Sequence, residues 1–443
     1  MREGPLTQLK SKSKPIRSSP NGWPTILIPG DGGTQISAKL NKSHVVHYVC
    51  AKKTAGYFTL WLNLELLIPL YVLDCFVDNM RLVYNTNTGT TENSPGVTTR
   101  VDDWGNTSTV EWLDPSHASV SIYYAKIVEN AVQWGYRRGL SIRGAPYDFR
   151  KAPNEMQEFY ANLKAMIEET YYNNSNKKVV TIGHSMGNPV VLYFFNRQTQ
   201  AWKDKFIRAH ISISAPWGGS VMIMKLFASG YNLDHYRIIL PPSKLRPFQR
   251  TMTSSAFLMP SNKFWPKNEP LVITPQRNYS TGDFRQFFHD IGYEIGWDMY
   301  QKVGHYLHDL QPPGVEVHCL YGIGVRTAQS FIYGEGFFPD YQPKMVEGDG
   351  DGTVTRRSLE GCLRWRGKQP QPVHNQTFMG REHLEILQDP LLIQYIKKGV
   401  AERARTESVH QIAGVNVGPG ACRIVVTLWP IEKDGTLFAR RAE

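Results

Sequence analysis

The chain has 443 residues, 41% of them hydrophobic and 20% charged, an ordinary globular composition that excludes collagen, coiled-coil and wholly disordered classes. Its formal net charge is +11, with basic residues scattered except at the two ends, which favours anionic surfaces such as acidic lipid over nucleic acid. None of the five cysteines (Cys50, Cys75, Cys319, Cys362 and Cys422) has CxxC spacing, which argues against a zinc site or a thioredoxin-like motif.

Residues 1–23 are polar and basic and read as a disordered lead, without the apolar run a signal peptide needs. The remaining signs favour export. The first four cysteines fall into two local pairs, and Asn-x-Ser/Thr sequons stand at Asn41, Asn106, Asn173, Asn278 and Asn375. "PTILIPGDGG" predicts a short buried strand ending in a glycine-rich loop. "YFTLWLNLELLIPLYVL" is apolar for most of its length, but Asn63, Glu65 and Pro69 interrupt it, so it does not predict a bilayer-spanning helix.

Helical spacing recurs over 123–134, and "MQEFYANLKAMIEETYY" is an amphipathic helix. "KKVVTIGHSMG", "HISISAPWGG" and "VEVHCLYGIG" each read as a strand running into a turn or loop. Strands alternating with helices predict a mainly parallel sheet of the α/β class. Residues 220–315 are proline-rich with few clean periods and read as an insertion over that sheet. Residues 401–443 form a tail unrelated to what precedes it, and no internal repeats occur.

Gly183-His184-Ser185-Met186-Gly187 matches G-x-S-x-G between a strand and a helix, the context of a nucleophile elbow. A serine held in a strained turn leaves room only for minimal side chains two residues to either side, and glycine supplies it. The plain alternative is a strand-to-helix turn whose glycines serve packing alone.

A serine hydroxyl is a poor nucleophile, so a general base and an orienting acid are required; in this class they follow in the order Ser, Asp, His. "GDGDGTV" offers Asp349 and Asp351. It fails as a calcium loop because Thr353 and Val354 occupy the fifth and sixth places. His383 opens an apolar helical pattern in "MGREHLEIL", with His374 among its rivals. Oxyanion donors are expected from the amide of Met186 and from the "IPGDGG" loop, where Asp31 follows Gly30.

The stretches "YFTLWLNLELLIPL", "RGAPYDFR", "GHSMGN", "QAWKDKFIRA", "SAPWGGS", "GDGDGTV" and "HCLYGIGV" carry a resemblance across about residues 24–397. The chain resembles the lecithin:cholesterol acyltransferase family, in particular its lysosomal phospholipase A2 (group XV) branch. That resemblance implies an α/β-hydrolase domain over 24–400, with a small disulfide-closed membrane-binding subdomain at about 44–80 and a cap or lid at about 220–315.

It further implies Ser185 as nucleophile, Asp351 as orienting acid, His383 as base, and the amides of Asp31 and Met186 as oxyanion donors. The implied disulfides are Cys50–Cys75 and Cys319–Cys362. It implies cleavage of sn-1 or sn-2 esters of glycerophospholipids at acid pH, with acyl transfer to water or to a lipid alcohol such as ceramide. Neither cofactor nor metal is implied. The remaining expectations are a monomer acting on phospholipid membrane without nucleic acid, and a lysosomal or secreted location. "YNLDHYRIILPP" departs from the family's lid loop.

The apolar stretch then becomes a candidate membrane contact through Trp61, Leu62, Leu64, Leu66 and Leu67; the plain alternative is a core segment. The competing functions are a sterol acyltransferase of the same family, a serine esterase acting on soluble esters, and a non-catalytic lipid binder.

Overall fold

The computed structural model describes residues 22–67, 70–232 and 240–399. The expected lead up to residue 21, the tail with Cys422, and residues 233–239 of the divergent lid stretch lie outside the described residues. Among those described, no helix is long and apolar enough to cross a membrane.

Six strands form the central sheet: β1 (Thr25–Ile28), β2 (Ile142–Gly144), β3 (Val179–His184), β4 (Ile207–Ile213), β5 (Val317–Ile323) and β6 (Val373–Met379). Their order is β2-β1-β3-β4-β5-β6 and every pairing is parallel. The residue types follow from burial on both faces: β1 reads TILI and β3 reads VVTIGH, and every residue of both is buried. β1 registers against β3 with Ile28 opposite Gly183, so the loops that leave the two strands emerge side by side.

Helices cover the sheet with apolar stripes. In α1 (Ala125–Gln133), Ala125, Ile127, Val128 and Ala131 are buried; in α2 (Gln157–Asn173), Phe159, Tyr160, Leu163, Met166, Ile167 and Thr170 are buried, the spacing of a helix with one face inward. α3 (Gly187–Phe195) follows β3 directly and is buried nearly throughout, which explains its almost unbroken apolar run. Pro189 lies in its first turn, where no intrahelical N–H bond is lost.

The stretch expected to meet a membrane folds as a strand, Phe58–Trp61, a short turn of helix, Leu64–Leu66, and a helix, Leu70–Met80. The strand joins Ile36–Leu40 and Val97–Arg100 in an antiparallel sheet, and the Cys50–Cys75 disulfide ties the preceding loop to the helix. This packing corrects the expected lipid contacts at Leu62 and Leu67. Leu62 and Leu67 are 5% and 4% exposed and belong to the core, while Trp61 and Leu64 pack against it from its edge. Turning inward buries Leu62 and Leu67 without a membrane, and Trp61, Leu64 and Leu66 are left half-buried. Among the described residues of this region, the exposed apolar side chains lie earlier, with Val46 57% and Tyr48 90% exposed beside Val49 and Tyr57.

Within residues 220–315 the described chain is mostly short helices, among them Met222–Ser229, Pro242–Gln249 and Glu294–Val303. Its strand Val272–Ile273 pairs with Val325–Ile332, which itself pairs with Lys344–Gly350. The segment is thereby tied to the hairpin that follows β5 and delivers Asp351. The Cys319–Cys362 disulfide links β5 to the turn after that hairpin.

Candidate active site

Ser185 sits between β3 and α3 with φ of +51°, the left-handed conformation of a sharp elbow. The flanking glycines answer to close approach. A Cβ on Gly183 would lie 2.4 Å from Asn188 Oδ1, and one on Gly187 would lie 2.4 Å from the Pro29 carbonyl oxygen. The turn is pinned from below: Asn188 Nδ2 donates to the carbonyls of Ser185 and Ile213, each at 3.0 Å. Asn188 Oδ1 accepts from His210 Nε2 at 3.1 Å. Burial lowers the pKa of His210 to about 3, so this ring stays neutral.

Ser185 Oγ lies 2.9 Å from His383 Nε2, and His383 Nδ1 lies 2.7 Å from Asp351 Oδ2. Asp351 is fully buried; its other oxygen accepts the N–H groups of Thr353 and Val354, and its carbonyl accepts the His383 N–H at 2.8 Å. The carboxylate therefore holds the ring by side chain and backbone at once. Asp349 turns away, accepting from Gly324 N–H and pairing with Arg356.

The Gly30–Asp31 loop presses on the elbow, where a Cβ on Gly30 would lie 2.6 Å from Ser185 Cβ. Neither the N–H of Asp31 nor that of Met186 donates to an acceptor among the described residues. Amides without an acceptor, next to a nucleophile in sequence and in loop packing, are the kind of donor a developing oxyanion needs.

Tyr123 holds this loop. Its hydroxyl accepts from Gly30 N–H at 2.9 Å and lies 2.7 Å from His184 Nδ1, while His184 Nε2 lies 2.8 Å from the carbonyl of His383. A carbonyl only accepts, so Nε2 carries the proton and Nδ1 accepts from Tyr123. Burial, and then the neighbouring His383, push the His184 pKa well down, which keeps this tautomer neutral. Sequence reasoning missed both roles. His184 was visible as the variable position of G-x-S-x-G, whereas Tyr123 carries no local signal.

A cavity of about 430 Å³ opens onto Ser185, within the usual range for a small-molecule site. Trp61, Phe149, Met222, Leu226, Phe248 and Met252 supply apolar wall. Trp61 donates from its indole N–H to the Gly32 carbonyl at 2.7 Å, placing the ring beside the Asp31 loop. Asp31 is reached by solvent through the cavity, yet the protein around it displaces bulk water. That desolvation, opposed by the Gly32 amide, pushes its carboxyl from 3.8 up to about 7.

The structure thus brings Ser185, Asp351, His383 and Asp31 to one cavity and adds Trp61 to its wall, while Met186 follows Ser185 in the chain with its side chain buried. Leu62 and Leu67 are buried in the core and line neither the cavity nor an exposed face. His374, the rival base, lies at the start of β6, bonded to Glu316.

A parallel sheet with the elbow after β3, an acid after β5 and a histidine after β6 defines an α/β-hydrolase. A family model for lecithin:cholesterol acyltransferase matches residues 57–390. The human protein named lysosomal phospholipase A and acyltransferase is 48% identical over 376 residues, 85% of this chain and 90% of that protein. Its rat counterpart is 46% identical over 398 residues, 90% of this chain and 94% of its own length. The human phosphatidylcholine-sterol acyltransferase is 44% identical over 375 residues, covering 84% of this chain and 83% of that protein. The chain belongs to the lecithin:cholesterol acyltransferase family.

Proposed function

We propose that this chain is a lipid acyl hydrolase and O-acyltransferase working through an acyl-serine. His383 Nε2 takes the Ser185 proton as Oγ attacks an ester carbonyl, and Asp351 holds the imidazolium that forms. The amides of Asp31 and Met186 receive the oxyanion. Collapse of the intermediate releases the lyso-lipid alcohol, protonated by His383. A second hydroxyl, from water or a lipid alcohol, is then activated by the same imidazole and takes the acyl group. The observation that carries this reading is the chain of contacts at 2.9 Å and 2.7 Å from Ser185 through His383 to Asp351, opening into an apolar cavity.

The names of the two lysosomal relatives support phospholipid esters as substrates and the lysosome as the compartment. Apolar walls favour a lipid acceptor, because they exclude the water that competes for the acyl-enzyme. The segment over 220–315 acts as the cap of this cavity, since it contributes Met222, Leu226, Phe248 and Met252 to the wall. Membrane contact falls to Val46, Tyr48 and Val49, with Lys52 and Lys53 exposed nearby to favour anionic lipid.

An active-site serine probe is expected to label the wild type and not Ser185→Ala. Phospholipid vesicles containing a long-chain lipid alcohol should yield free fatty acid and the acylated alcohol. Labelling that persists in Ser185→Ala, or turnover confined to soluble esters, overturns the reading. Acylation of sterol in preference to other alcohols would instead favour the sterol-acyltransferase alternative.

A further inference from the structure

At the end of the sheet away from Ser185, three side chains meet that the proposed reaction does not use. Glu316 and His318 are two residues apart as the chain enters β5, so they project from the same face of the sheet. His374 stands directly across from His318 in the parallel ladder with β6. Glu316 Oε1 lies 3.1 Å from His318 Nε2 and 3.1 Å from His374 Nε2, and the three ligand atoms all lie within 4.8 Å of one another.

We propose that Glu316, His318 and His374 bind one zinc ion that clasps the edge strand β6 to β5. Zinc bonds of about 2.0–2.1 Å in a tetrahedron set ligand atoms about 3.3 Å apart. Two edges of the cluster already have nearly that length. The third closes by a small shift of His374, whose side chain is 37% exposed on the edge strand, where water can supply the fourth ligand.

The surrounding bonds suit the ion. Arg208 pairs with Glu316 Oε2, so Oε1 is the oxygen turned toward the two imidazoles. Tyr395, on the helix Pro390–Lys397, lies 2.8 Å from His318 Nδ1. When Nε2 coordinates, the ring proton resides on Nδ1 and the Tyr395 hydroxyl turns to accept it, the outer hydrogen bond that orients a metal-bound imidazole. Two imidazoles and a single carboxylate oxygen suit zinc and not calcium or magnesium, which take oxygen ligands. No sequence spacing announces the site, because His374 is more than fifty residues from its partners.

The test is equilibrium dialysis of the full chain against zinc chloride. One zinc per chain is expected in the wild type and also in His383→Gln, which removes the imidazole beside Ser185. His374→Gln should weaken that binding at least about tenfold and abolish the zinc-induced rise in melting temperature. Zinc-edge X-ray absorption on the wild type and His383→Gln should show two imidazoles and one carboxylate oxygen, a readout that needs no cluster variant to fold. Zinc bound equally by wild type and His374→Gln, zinc lost in His383→Gln, absence of zinc uptake, or a spectrum without two imidazoles overturns the proposal.

Discussion

His184 Nε2 donates to the backbone carbonyl of His383 across 2.8 Å, so the residue before the serine supports the residue that faces it. Through Tyr123 the same ring also reaches Gly30, one position before Asp31. One buried hydrogen-bonded path therefore joins the elbow, the Gly30–Asp31 loop and His383.

Tyr123→Phe removes the middle of that path and leaves Gly30 N–H and His184 Nδ1 without partners. An unmade buried hydrogen bond costs about 1–3 kcal/mol, and any share of it that loosens the loop raises the barrier. On a soluble ester, kcat is expected to fall about tenfold with KM nearly unchanged. An unaltered kcat would mean that Tyr123 serves packing only.

Asp351→Asn should lower kcat by about 10⁴, because the amide no longer holds the ring in the tautomer that accepts the serine proton. Asp349→Asn, which alters a carboxylate paired with Arg356 at the surface, should stay within a few-fold of wild type. Comparable losses in the two variants would remove Asp351 from its assigned role.

The carboxyl of Asp31, pushed up to about 7, gives the site a pH dependence of definite sign. Below that value the group is neutral beside the oxyanion; above it a negative charge faces a developing negative charge. Activity is therefore expected to decline as pH rises through about 7, and Asp31→Asn should remove that decline. The folded state retains a proton that the unfolded chain releases from about pH 4 upward. The carboxyl thus costs stability progressively between about 4 and 7. Parallel pH–rate profiles for the two proteins would contradict this account.

Tyr48→Ser should weaken liposome binding and leave soluble-ester turnover unchanged, since Tyr48 is 90% exposed and absent from the cavity. Burying one such side chain is worth roughly 1.5–3 kcal/mol, so a loss of tenfold or more in partitioning is expected. Trp61→Ala should do the opposite, impairing soluble-ester turnover because the indole lines the cavity. Sedimentation with vesicles and a chromogenic ester assay separate the two effects.

The elbow was legible because it is a local object. A β-branched run, a strained serine between two glycines and an apolar helix are dictated within residues 179–195 by sterics and hydrogen bonding. The amphipathic stripes of α1 and α2 were legible for the same reason, since their period is written in neighbouring positions. Choosing Asp351 over Asp349 needed the family resemblance, because acids two residues apart look alike to local rules, whereas chain order and the apolar helical pattern after it already favoured His383 over His374.

What the sequence by itself determined is the class of sheet, the elbow and the order in which serine, acid and histidine arrive. Tertiary structure alone decided that β1 lies beside β3, bringing Asp31 to Ser185; that Tyr123 bridges Gly30 and His184; and that Trp61, Leu62 and Leu67 turn inward. It also decided that His374 meets Glu316 and His318. The division has one physical cause. Period, turn chemistry and strain act between near neighbours in the chain, whereas strand order and the burial of a particular apolar face are settled by which distant segments pack together.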